Sequence, residues 1–139
     1  MANRMRNRPV LTADDVTKMM AACKDYALQQ KWNVSIAIVD DAGYLLRFER
    51  LEGAAPVTAD VACGKARAAG ITRKTTKELE ARVKDRPVFI SFPYPDSLLI
   101  QGGLPILVGD DGVGAIGVSG VASHQDEAVA QAGIDALGL

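Results

Sequence analysis

Two segments of this chain repeat one pattern, and the pattern limits the fold. IAIVDDAGYLLRF (Ile36–Phe48) and PILVGDDGVGAIGV (Pro105–Val118) each hold an apolar strand, an Asp-Asp turn reaching Gly, and a second strand. A β-branched run closed by such a turn brings the chain back beside itself. Two hairpins of this kind predict an antiparallel sheet. The segments between them do not match each other, so the chain is not a repeat protein.

Helical patterns flank and separate the hairpins. Thr12-Ala-Asp-Asp15 has the form of a capping box, and Val16, Met19, Met20, Cys23 and Ala27 follow at helical spacing to about Gln30. Val34–Val39 reads as a strand, Asp40–Gly43 as its turn and Tyr44–Arg50 as the returning strand. Pro56 suits a first helical turn. From Val57 to about Ala69 small residues form two apolar faces, Ala59, Ala62, Ala66 and Ala69 on one, Val57, Val61 and Ala68 on the other. Asp60, Gly64 and Arg67 are left to face water, and Thr58 and Lys65 fall on the border between the apolar faces. Thr75–Glu78 opens a short helix to about Lys84. Arg86–Asp96 carries Pro87, Pro93 and Pro95 among Phe89, Phe92 and Tyr94, which predicts a stiff loop rather than helix or central strand. Strands are expected near Leu98–Ile100, Pro105–Val108 and Val113–Ser119, then a cap at Ser123–Asp126 and a last helix to about Leu137.

Length and charge exclude several classes. The 139 residues make one domain, a flexible arm over Met1–Val10 and a folded unit from Leu11 to Leu139. A net charge of -1 does not suit nucleic acid, whose phosphates call for a basic surplus. No apolar run follows the basic start MANRMRNRP, and none approaches the length of a membrane span, so a cytoplasmic protein is expected. One histidine and two distant cysteines give no zinc pattern, and Cys23 and Cys63 read as free thiols. P-loop, nucleophile-elbow and dinucleotide fingerprints are absent from the sequence.

Five features can carry chemistry, and each has a plain structural alternative. The adjacent Gly102 and Gly103, after Gln101, can turn successive amides into an anion-binding concavity, or form only a tight connection. Lys65, among small apolar side chains, is a base or nucleophile if desolvated, a carboxylate's partner, or a snorkelling cation. Arg47 and Arg50 alternate to opposite sides of their strand, where either forks onto a carboxylate or makes a surface salt bridge. Tyr94, held between two prolines, stacks on a ligand or plugs the core. His124, in a first helical turn, is a neutral ligand for haem iron or an exposed side chain.

Taken in order, the capped first helix, SIAIVDDAGYLLRFERLEGA, GKARAAG, QGGLPILVGDDGVGAIGVSG and DEAVAQAG resemble the GlcG/HbpS family, also found as the C-terminal domain of PduO-type proteins. The resemblance runs from about Leu11 to Gly138. It implies an α/β (α+β) profilin-like sandwich, a central antiparallel sheet of about five strands with helices on both faces. It implies a homo-oligomer, as dimer, tetramer or octamer; charge and hydropathy leave no nucleic-acid or membrane partner expected. Its members include haem binders and proteins tied to glycolate oxidation or to catabolism of aromatic ring-cleavage products. For this chain it implies a small organic anion as ligand, acted on without a cofactor by hydrolase, lyase or tautomerase-type chemistry. Lys65 and Tyr94 are then catalytic, with Gln101, Gly102 and Gly103 as binding residues, and the residue reading adds Arg47, Arg50 and Thr58 to the binding set. Haem, ligated by His124, is the alternative, and a ligand-free accessory oligomer the third.

Overall fold

The computed structural model describes residues 4–139. Helix α1 (Ala13–Gln30) opens on a true capping box: the Asp15 amide donates to Thr12 Oγ1 at 3.1 Å and the Thr12 amide to the Asp15 carboxylate at 2.8 Å. Strands β1 (Ser35–Asp40) and β2 (Leu45–Arg50) form the first hairpin, in which Asp40 Oδ1 accepts from the Ala42 and Tyr44 amides. Helices α2 (Val57–Thr72) and α3 (Thr76–Asp85) follow, the second capped by the Thr75 hydroxyl. Strands β3 (Gly103–Val108) and β4 (Asp111–Ser119) make the second hairpin, and α4 (Ser123–Asp135) closes the fold.

The two hairpins join through their inner strands into one antiparallel sheet, β2-β1-β4-β3. Side chains alternate across it. Ile36, Ile38, Ile116 and Val118 face α1 and α4, where Met19, Cys23 and Val129 complete the larger core. Ala37, Val39 and Ala115 face α2, meeting Ala62, Ala66 and Ala69 in a thinner one. Full burial of each large aliphatic side chain contributes about 1.5–3 kcal/mol, so the α1/α4 side carries most of the stability. Helices on both faces of an antiparallel sheet match the expected sandwich.

Among the described residues the sheet has four strands, not five. Leu98–Ile100 pairs with no strand, because the Leu98 amide donates to the Gly64 carbonyl of α2 at 3.0 Å and the segment crosses that helix. Leu98 thereby covers Gly64, which the helical wheel assigned to water. A bulge between Ile38 and Val39 sets Leu45, not Leu46, opposite Val39 and breaks the simple alternation of β2. The proline-rich loop contains a 3-10 turn over Pro87–Ser91, with Pro87 at a first-turn position that needs no amide hydrogen. The last helix starts from Ala122, whose amide donates to Gln125 Oε1 at 3.2 Å.

Of the N-terminal arm, residues 1–3 lie outside the described residues. Arg6 pairs with Asp111 at 3.3 Å, and Arg8 pairs with Asp41 and donates to the Gly112 carbonyl at 3.4 Å. The arm therefore meets both acidic hairpin turns.

Candidate functional site

Lys65 lies on the flank of α2 that faces β4. Its side chain is 3% exposed, and Nζ donates to Asp126 Oδ2 at 2.9 Å and to the Val118 carbonyl at 3.0 Å. Asp126, also 3% exposed, accepts at its other oxygen from the Val121 amide at 3.1 Å. Burial pushes the Asp126 carboxyl up, against the pull of the Lys65 ammonium and the Val121 amide. The sequence placed Asp126 in a helix cap. Its partnership with Lys65 spans 61 positions, and no local pattern announces it. The lysine's charge is compensated inside the protein.

Gly102 and Gly103 press on this pair. A Cβ at Gly102, whose φ is +132°, would stand 2.7 Å from Lys65 Nζ and 2.8 Å from the Val118 carbonyl. The Gly103 amide donates to Thr76 Oγ1 at 2.8 Å. The two glycines thus serve close approach to α2, and the Gly103 amide is already engaged. Gln101 donates to Glu127 of α4 at 3.2 Å.

The remaining candidates lie apart. Thr58 bonds the buried Ser35 hydroxyl at 2.8 Å, near the start of α2. Arg47 reaches Thr17 of α1 at 3.1 Å, while Arg50 borders a surface groove with Lys24 and Glu49. Tyr94 is half-exposed, its ring 5.5 Å from that of Phe92. His124 is exposed on the first turn of α4.

The sequence did not point to an apolar cleft on the far side of Leu98. Between α3 and the Leu98–Ile100 segment lies an apolar cleft of about 370 Å3, walled by Val83, Ile90, Phe92, Leu98, Leu99 and Ile100. Its volume falls within the usual range of small-molecule pockets. Glu80, Lys84 and Ser97 supply its polar side-chain atoms. Ile90 is 74% exposed and Ile100 42%, so apolar surface faces solvent there. Ser97 and Leu98 also border a polar groove of about 710 Å3, shared with Asp60, Cys63 and Asp96. Ser97 Oγ is buried and has no hydrogen-bond partner among the described residues. The signal in the sequence was the apolar trio after the proline-aromatic loop, but it read equally as a strand.

Residues 11–135 match the family described as "Haem degrading protein HbpS-like". The chain belongs to this family. Protein GlcG of Escherichia coli K12 is 37% identical over 116 residues, 83% of this chain and 85% of that protein. The crystal structure of a variant HbpS from Streptomyces reticuli superposes with a TM-score of 0.89 at 32% identity, covering 100% of this chain and 94% of that one. A crystal structure titled as a PduOC:heme complex superposes at 0.84 with 26% identity, over 92% of this chain and 95% of that one. The HbpS-like fold is therefore shared nearly end to end.

The cleft fits part of a haem and not all of it. Its walls suit a flat apolar ring, and Lys84 and Ser97 are donors for carboxylates. No imidazole, thiolate or phenol lines it to hold an iron. No helix among the described residues is long and apolar enough to cross a membrane.

Proposed function

We propose that this chain binds an amphipathic organic acid of the haem class, a flat apolar body bearing carboxylate, in the cleft between α3 and Leu98–Ile100. The observation that carries this reading is Ser97 Oγ. A buried hydroxyl without a partner costs about 1–3 kcal/mol, and this one belongs to a residue that lines the cleft. A turn of the Ser97 side chain toward a ligand acceptor atom relieves that cost. The family description and the haem complex of the PduOC relative support the same ligand class. Lys65, neutralised by Asp126, offers no free charge to a small anion, so the organic-anion ligand is assigned to the cleft. Tyr94, packed at a tilt against Phe92, flanks it. A homo-oligomer belongs to the same reading, and the exposed Tyr44, Leu45 and Leu46 at the β2 edge offer a surface for it.

Titration of the protein with haemin tests the proposal. A saturable change in the haemin spectrum is expected, and Ser97→Ala is expected to weaken it by roughly tenfold, the worth of one bond to a charged acceptor. The same substitution removes the unmet hydroxyl and is expected to raise the stability of the free protein by about 1 kcal/mol. Absence of saturable binding, or unchanged affinity in Ser97→Ala, would sink the assignment.

A further inference from the structure

The residues that line the cleft divide into two kinds. Six of the lining residues are apolar, and three are polar: Glu80, Lys84 and Ser97, whose hydroxyl is buried behind the surface. Lys84 has three donors and no lone pair in its charged form. Glu80 is its ion-pair partner at 3.9 Å. Ser97 offers a neutral hydroxyl. This set meets an apolar ring and its acid groups, and it lacks the imidazole, thiolate, thioether or phenolate that holds haem iron elsewhere.

Cys63, Tyr94 and His124, outside the lining, do not repair this. Cys63 borders the adjoining groove rather than the cleft, and burial and the neighbouring Asp60 push its thiol up. The thiolate is the metal ligand. Tyr94 packs at a tilt against Phe92 from outside the lining, half-exposed. His124 is exposed on α4 and does not line the cleft. Asp60 and Asp96 line the groove beyond Ser97, and neither is a haem-iron ligand of the usual kinds.

Resting on the reading above, we propose that the cleft recognises the apolar ring and carboxylates of its ligand and leaves the ring's metal unligated, so that metal-free porphyrin carboxylates bind as well as haem. Binding energy then comes from the apolar area removed from water and from the acid groups, both the same in the two rings. The identity or absence of the central metal does not enter.

The test uses the full chain with three probes: haemin, metal-free protoporphyrin and the dimethyl ester of that protoporphyrin. Haemin and the metal-free acid are expected to bind within about threefold of each other. The ester is expected to bind at least tenfold more weakly, and Lys84→Ala to weaken both acids by a similar factor. A haemin affinity tenfold or more above that of the metal-free acid overturns the inference and leaves the proposed function standing. Loss of that advantage in His124→Ala would then assign the iron to the histidine. Binding of neither acid overturns the inference and the proposed function together.

Discussion

Cys23 is a thiol held where a charge has no solvent. It lies fully buried in the larger core, and burial pushes its pKa from the ordinary 9.0 up to about 12, against a small opposing pull from the Gly133 backbone. Its folded value is raised, so its contribution to stability is complete below about pH 9. Stability is lost as pH rises from there toward about 12, because only the unfolded chain releases the proton. The slope is about 1.4 kcal/mol per pH unit for one such group. Urea unfolding of the wild type and Cys23→Ala is expected to show the wild type losing about 2 kcal/mol more than the variant between pH 9 and 10.5. Equal losses would contradict the burial argument. At this scale the sequence was informative about burial and silent about partners. Lys65 could be placed between two apolar faces by helical spacing, and it is buried there. Its Asp126 partner and the unmet Ser97 hydroxyl depend on how distant segments cross, which no local spacing encodes.

Elements were legible wherever one local rule acted alone. Both hairpins, the Thr12 and Thr75 caps and the small-residue helix follow from turn chemistry, side-chain capping and periodicity. Leu98–Ile100 was not legible, because an apolar trio suits a strand and a cleft wall equally, and one amide bond to Gly64 decides between them. The packing of α2 on β4 shows what the glycines of the second hairpin are for. A Cβ at Gly117 would strike the Ala62 carbonyl and the Ala66 amide, both helix backbone. Backbone cannot swing aside as a side chain can, so Gly117→Ala must push the helix off the sheet. Overpacking of this kind costs about 1–3 kcal/mol, and the upper end is expected here. Gly109→Ala meets no neighbouring atom and pays only for its positive φ of +61°. Urea unfolding is expected to rank Gly117→Ala well below Gly109→Ala, and the reverse order would show that α2 does not lie this close.

Across the whole molecule, the two faces of the sheet are unequal. The α1/α4 face holds the large aliphatic side chains, and the α2 face holds mainly alanines. One buried ion pair links them, since Lys65 belongs to α2 and Asp126 to α4. Such a pair contributes little net stability against an apolar replacement, because each ion was taken out of water to make it. Breaking it is another matter, since the remaining charge stays buried and unmatched. Lys65→Ala and Asp126→Asn are each expected to cost about 3–5 kcal/mol, and the double variant Lys65→Met with Asp126→Leu much less than their sum. If Lys65 served a ligand instead, Lys65→Ala would leave stability nearly intact and abolish binding. Hydrogen exchange should locate the loss: amides of α2 and of Leu98–Ile100 are expected to lose protection before those of α1 in the single variants. Uniform loss over both faces would mean that the pair supports the core as a whole rather than fastening its thinner layer.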